Sequence, residues 1–263
     1  MAQVPLAPVA GTFVWNELVS RDLDAAKNFY TAVLGWQYQG MDMGNLGTYW
    51  LIMAGGAMAG GLMNMPPDAP KKVPSHWMPY VAVPDADAAF EKCGTAAIFP
   101  PFDVPNVGRM FALADPSGAM LSLMRPSAGT RNGTPALEST MPGHFMWNEL
   151  ATTDPEKAGK FLCDLIGWKP SKMPPDAGLE YTLFNVAGKA VGGMSALGKP
   201  HWGDLTPHWM GYVAVKDLAA VHQAAQLAGA KVVVPPTHVP KTGRFITVID
   251  PSGAAISFMQ PEN

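Results

Sequence analysis

The sequence predicts an α+β protein of four βαβββ units, arranged as two tandem copies of one two-unit domain. Three observations carry this expectation. Residues 11–18, Gly-Thr-Phe-Val-Trp-Asn-Glu-Leu, return at 143–150 as Gly-His-Phe-Met-Trp-Asn-Glu-Leu. Within each copy, runs of strand-like apolar residues alternate twice with a stretch of helical spacing. Each copy also closes on the same Asp-Pro-Ser-Gly turn, at 115–118 and 250–253.

The register of the repeat holds along the chain. Asp22 matches Asp154, Gly35-Trp36 matches Gly167-Trp168, Gly60-Gly61 matches Gly192-Gly193, and His76-Trp77-Met78 matches His208-Trp209-Met210, all at an offset of 132. Beyond a three-residue length change near 91–99, Arg109 matches Arg244 and Asp115 matches Asp250 at an offset of 135. This period far exceeds the roughly 20 to 50 residues of a solenoid repeat. It defines a first domain over 1–128, a linker over 129–142 and a second domain over 143–263, and any site is expected twice. The Pro, Ser, Gly and Thr content of residues 126–142 marks the connection.

The elements follow from local chemistry. Thr12–Val19 reads as a strand, and Asp22 is suited to cap a helix on which Ala26, Phe29, Tyr30 and Val33 share a face. Gly35 ends that helix in the position that favours a left-handed backbone. The copy repeats this with Ala158, Phe161, Leu162, Leu165 and Gly167. Strands near 36–41, 48–54 and 57–64 follow, the last two joined at Gly55-Gly56. A second cycle has a strand over Trp77–Val83, a short helix over Asp85–Lys92, and strands near 97–102, 109–114 and 119–125. The Asp115-Pro-Ser-Gly118 turn places Pro and Gly where a type I turn prefers them.

Composition narrows the function classes. The 263 residues suit two domains of ordinary size. Only 15% of residues are charged, the net charge is −3, and no basic stripe is present, so no nucleic-acid partner is expected. The uncharged run 43–67 is long enough for a membrane span, but six glycines interrupt it, and it reads as a hairpin. No membrane partner is expected. Met1–Ala10 lacks a basic start and carries Pro5 and Pro8, which argues against a signal peptide. Cys93 and Cys163 occupy non-equivalent places in the two copies, so reduced thiols and a cytoplasmic setting are expected. The 17 Met and 8 Trp supply apolar lining for cores or pockets.

The opening strand with Asp22…Phe29-Tyr30…Leu34-Gly35-Trp36 and the closing Asp115-Pro-Ser-Gly hairpin, both duplicated in order, resemble the vicinal-oxygen-chelate superfamily. That superfamily includes glyoxalase I, bleomycin-resistance proteins and extradiol dioxygenases. The resemblance spans nearly the whole chain. It implies that paired βαβββ units curl a mixed sheet around a cleft in each half, with metal ligands on the first and last strands of each unit. Carried over residue by residue, those positions fall on Trp15, Met78 and Ser122, and in the second half on Trp147, Met210 and Ser257. Ala57–Met65 adds no Asp, Glu or His. Indole nitrogen only donates, thioether is soft and a neutral hydroxyl is a poor ligand, so the usual metal is not expected. No other cofactor is expected either.

Strand alternation sets Glu17 on the face of Trp15, and His76 on the face of Met78 and Tyr80, with Glu149, His208 and Tyr212 as copies. Glu17, His76, Glu149 and His208 are therefore the candidate acid–base groups. Trp15, Met78, Tyr80, Ser122, Trp147, Met210, Tyr212 and Ser257 are candidate ligand contacts. His76 and Glu17 also lie near strand ends, where polar residues meet water. Arg109 and Arg244 each follow a Val-Pro-containing loop, and suit either an anion clamp at the cleft mouth or an ion pair with the neighbouring turn. His144, His201, His222 and His238 have no His counterpart in the other copy. Two readings stand. One is a metal-free binder of a small, largely apolar or aromatic molecule, built as an internal pseudo-dimer that needs no second chain. The other is a lyase, isomerase or dioxygenase-type enzyme using the Glu/His pairs as acid–base groups or shifted metal ligands.

Overall fold

The computed structural model describes residues 8–44, 47–127, 140–173, 180–198 and 205–262. Most of the expected linker, the first seven residues and His201 lie outside them. The first half runs β1 (Phe13–Ser20), α1 (Leu23–Leu34), β2 (Gln37–Asp42), β3 (Thr48–Ala54), β4 (Ala57–Asn64), then β5 (His76–Ala82), α2 (Ala86–Cys93), β6 (Phe102–Val104), β7 (Gly108–Ala114) and β8 (Met120–Pro126). The second half repeats it as β9 (Phe145–Thr152), α3 (Pro155–Ile166), β10 (Lys169–Lys172), β11 (Tyr181–Val186), β12 (Lys189–Ala196), β13 (His208–Ala214), α4 (Leu218–Leu227), β14 (Lys231–Val239), β15 (Gly243–Ile249) and β16 (Ala255–Pro261).

Each half forms its own mixed eight-stranded sheet, in the order β2-β3-β4-β1-β5-β8-β7-β6 and its copy β10-β11-β12-β9-β13-β16-β15-β14. The two units of a half join where β1 runs antiparallel to β5, and β9 to β13. The helix ends match their local signals. Asp22 Oδ1 accepts from the Ala25 amide at 2.9 Å, and Gly35 adopts φ 68° as its amide reaches Thr31 O. Asp85, Asp154 and Asp217 cap the other three helices in the same way. The strand expected near 97–102 is shorter: only Ala97 bridges to Leu113, and β6 starts at Phe102. Pro100-Pro101 has no amide proton for a ladder. The copy absorbs its own Pro235-Pro236 as a register shift inside β14.

The cores cross the repeat boundary. Leu18, Phe29, Tyr30, Trp36 and Ile52 of the first unit pack with Val213, Leu218, Ile246, Val248 and Phe258 of the fourth. Phe111, Leu113, Leu121 and Leu123 of the second unit pack with Leu150, Leu162, Trp168 and Phe184 of the third. The seam is also hydrogen-bonded reciprocally: Trp36 Nε1 donates to Gly143 O at 2.9 Å, and Trp168 Nε1 to Gly11 O at 2.7 Å. Both Trp residues are buried, so each copy's helix-ending Trp anchors the other copy's first strand. Apolar burial of this kind, worth ~1.5–3 kcal/mol per large side chain, ties the halves into one body.

Candidate functional site

The faces of the two sheets turned away from these cores carry smaller apolar clusters. In the first half this cluster holds Val14, Met78, Tyr80, Met110, Ala112 and Met124, with Trp15 and Met63 packed against it. In the second half it holds Met210, Tyr212, Val234 and Met259, with Trp147 and Phe245. Register explains the grouping. Trp15 lies opposite Tyr80, Glu17 opposite Met78, and Tyr80 beside Ser122, with Trp147, Tyr212, Glu149, Met210 and Ser257 as the copy.

At the centre of each cluster is a buried carboxylate. Tyr80 donates to Glu17 Oε1 at 2.9 Å, and Trp15 Nε1 donates to the Tyr49 hydroxyl at 2.8 Å, which in turn bonds Glu17. In the copy, Tyr212 and Tyr181 donate to Glu149 Oε2 at 2.9 and 3.0 Å, and Trp147 Nε1 donates to Tyr181 at 2.8 Å. Ser195 adds a third hydroxyl, 2.6 Å from Glu149 Oε1, where the first half has Met63. Burial pushes both carboxyls above their ordinary range, and the hydroxyl bonds hold them back. Burial also raises the four tyrosines well above theirs, so each phenol keeps its proton as a donor.

Tyr49, Tyr181 and Ser195 lie outside the set expected from the sequence. The tyrosines reach Glu17 and Glu149 only because Gly61 and Gly193 sit beside those carboxylates in the sheet. A Cβ on Gly61 would lie 1.9 Å from the Tyr49 hydroxyl, and one on Gly193 2.2 Å from that of Tyr181. The duplicated Gly-Gly pairs and the Tyr49/Tyr181 match at an offset of 132 are the signal that points to them.

The remaining candidates fall in other places. His76 is half-buried at the start of β5, with Nδ1 2.9 Å from Pro74 O, and His208 Nδ1 is 2.7 Å from Thr206 O. Burial lowers both imidazoles against the carbonyl bonds that raise them, and His76 lowers His208 a little further. Ser122 contacts Met78 Sδ at 3.4 Å; Ser257 contacts Met210 Sδ at 2.9 Å and Thr247 Oγ1 at 2.8 Å. The two arginines project on the other side of their sheets. Met110 and Ala112 face the Glu17 cluster, so Arg109 shares the opposite, helix-side face with Phe111 and Leu113; Arg244 shares it with Ile246 and Val248. Arg109 is held by Asp87 through two 2.8 Å bonds and by Asp103 at 2.9 Å, not by the Asp115 turn.

The donor set is a poor match for a divalent ion. Trp, Met and Ser occupy the positions on β1, β5 and β8, and among the described residues the carboxylate at the centre of each face already accepts tyrosine hydroxyls. Among the described residues no three of His, Cys, Asp and Glu cluster as ligands.

Two tandem curled-sheet domains with duplicated first-strand sites define a class of protein, and comparison with known proteins agrees. Residues 142–258 match the family described as Glyoxalase/Bleomycin resistance protein/Dioxygenase superfamily, and residues 12–47 match the Bleomycin resistance protein-like N-terminal family. The chain belongs to the glyoxalase/bleomycin resistance protein/dioxygenase superfamily. It is 34% identical over 255 residues, 95% of each chain, to the Mycobacterium tuberculosis protein named "Putative glyoxylase CFP32". It is 30% identical to the "Anthracycline biosynthesis protein DnrV" of Streptomyces peucetius, over 95% of this chain and 93% of that one. The fold is also that of the Mn(II)-bound glyoxalase from Novosphingobium aromaticivorans, with TM-score 0.63 and 17% identity over 97% of this chain and 83% of that chain. No helix among the described residues is long and apolar enough to cross a membrane.

Proposed function

We propose that the chain binds a small, largely apolar or aromatic molecule on the cleft face of each half, without the metal usual in its superfamily. The observation that carries this is the Trp–Tyr–Glu–Tyr cluster around a buried carboxylate, with its Trp and outer Tyr partly exposed, present in both halves in the same register. Indole and phenol rings supply flat apolar surface, Met63, Met78 and Met210 adapt to shape, and the carboxylate and hydroxyls supply the few placed polar groups such sites use. Relatives named for anthracycline biosynthesis favour a fused-ring aromatic ligand. The two free cysteines suit the cytoplasm as the setting.

Titration with a sulfonated anthraquinone, read by tryptophan fluorescence, tests the reading. Saturable quenching that loses one component in Trp15→Phe and the other in Trp147→Phe is expected. Absence of saturable quenching overturns ligand binding, and about one transition metal per half retained through dialysis overturns the metal-free part. A second reading, favoured by two buried carboxyls whose pKa values are shifted upward, is an enzyme of the lyase, isomerase or dioxygenase type. In it Glu17 and Glu149 exchange protons with substrate. A Glu17→Gln/Glu149→Gln double variant then abolishes turnover while sparing binding.

A further inference from the structure

The two copies of the helix-side arginine stand in different surroundings, and the difference exposes a site. In the first half Arg109 is saturated: the Asp87 carboxylate forks onto Nε and Nη2 at 2.8 Å each, and Asp103 takes Nη1 at 2.9 Å. In the second half Arg244 occupies the same strand position, but Ala219 stands where Asp87 does and His238 where Asp103 does. His238 is turned to Glu262, 2.5 Å away. Among the described residues no carboxylate lies within 4.0 Å of the Arg244 guanidinium.

The loss of the Asp87 side chain leaves space. A pocket of about 280 Å3 opens over Arg244, lined by Leu218, Ala219, His222, Pro236 and Gln260. Its walls are mostly apolar, and its polar side chains are those of Arg244, Gln260, His222 and Asp217. Gln260 is pinned by accepting the Leu218 amide at 2.9 Å, which leaves its amide nitrogen as a donor. Asp217 also borders the pocket, but its Oδ1 caps α4 through the Ala220 amide at 3.0 Å. Asp85 does the same on α2, and Arg109 binds a second carboxylate regardless. Arg244, Ile246 and Val248 share one face of β15, whereas Phe245 and Thr247 face the Glu149 cluster, so the pocket and that cluster lie on opposite sides of the sheet.

We propose that the pocket over Arg244 binds the carboxylate of a small organic acid, seated where the first half supplies its own Asp87. The guanidinium offers a two-point fork that matches a carboxylate, and Leu218, Ala219 and Pro236 receive an apolar body. The inference is independent of what occupies the cleft faces.

The test uses the full chain, sodium benzoate as probe, benzamide as the uncharged isostere, and amide and methyl chemical shifts as readout. Benzoate is expected to give saturable shifts at Ala219, His222 and Gln260, with benzamide at least ~tenfold weaker. Arg244→Gln should weaken benzoate at least ~tenfold, since a bidentate charge-assisted contact is lost. Ala219→Asp should abolish binding with melting temperature equal to or above that of the parent chain, because it restores the ion pair of the other copy. Three outcomes overturn the proposal. They are no saturable shift in the parent chain, equal affinity for benzamide, and benzoate binding that persists in Arg244→Gln or Ala219→Asp.

Discussion

Replacing Gly193 by alanine tests how the carboxylate cluster is built. The new Cβ would lie 2.2 Å from the Tyr181 hydroxyl and 2.3 Å from Cζ, against ordinary contacts of 3.4–4 Å. The phenol must therefore shift by about 1.2 Å or more, which breaks its 3.0 Å bond to Glu149 and its 2.8 Å bond from Trp147. What collides is the far end of a side chain at the sheet surface, so the fold survives and the cluster does not. Losing one hydrogen bond to a charged acceptor costs ~1.5–3 kcal/mol. At ~2–4 °C per kcal/mol, the melting temperature should fall by ~3–12 °C. Glu149 keeps Ser195 and Tyr212, so its carboxyl should rise only part of the way further. The assay is a double-mutant cycle in thermal melts. In a Tyr181→Ala background nothing remains to collide, and Gly193→Ala should then cost little. Equal cost in both backgrounds, or no cost in the parent, refutes the reasoning. Gly61 and Tyr49 form the parallel case, with a Cβ at 1.9 Å.

Further outcomes follow from the same contacts. Tyr30 donates to Asp250 Oδ2 at 2.7 Å and accepts from Trp77 Nε1 at 2.9 Å, so Tyr30→Phe should destabilise by ~2–5 kcal/mol in denaturant melts, as two buried groups lose their partner. Leu162 stands in the place of Tyr30 in the copy, and there, among the described residues, Asp115 Oδ2 and Trp209 Nε1 lack partners, so Leu162→Tyr should stabilise by ~1–2 kcal/mol in the same melts. Glu17 and Glu149 hold their protons more tightly folded than unfolded, so their contribution to stability falls as pH rises from 4.5 through their raised folded values, then levels off. His76 and His208 are lowered by burial and pull the other way, costing stability as pH falls through 6.5. Melts across this range should flatten on the carboxylate side in a Glu17→Gln/Glu149→Gln double variant and leave the histidine limb intact. Finally, either half expressed alone should lack a cooperative unfolding transition, because each core needs residues from both halves.

The fold was legible because its signals are local. Asp22 and Gly35 bracket α1, Asp154 and Gly167 bracket α3, and the Asp115 and Asp250 turns close each sheet, all through contacts within a few residues. Glu17, Tyr80, Glu149 and Tyr212 were legible from alternation along single strands. What alternation does not convey is which strand lies beside which. Tyr49 reaches Glu17 across β4, and the cores pair unit one with unit four, both consequences of long-range packing. The side taken by the arginines was within reach of the same alternation: Arg109 keeps step with Phe111 and Leu113, whose burial against α2 and α3 fixes the helix side.

The architecture also separates two kinds of difference between the copies. Both large cores are shared, so a change in Leu18, Trp36, Val213 or Phe258 is felt by elements of both halves and must suit both. The cleft-face clusters and the arginine positions are private to one half, and a change there disturbs only its own neighbours. Met63 against Ser195, Ala112 against Thr247 and Asp87 against Ala219 are all differences of this private kind, and each alters the polar groups of its face. The shared cores differ as well, with Ile52 against Phe184, Leu123 against Phe258 and Tyr30 against Leu162, and the core that holds Leu162 leaves, among the described residues, the Trp209 indole and one Asp115 carboxylate oxygen without a partner. Two cleft faces of different polarity on one jointly folded body are the expected product of a duplication held together through its cores.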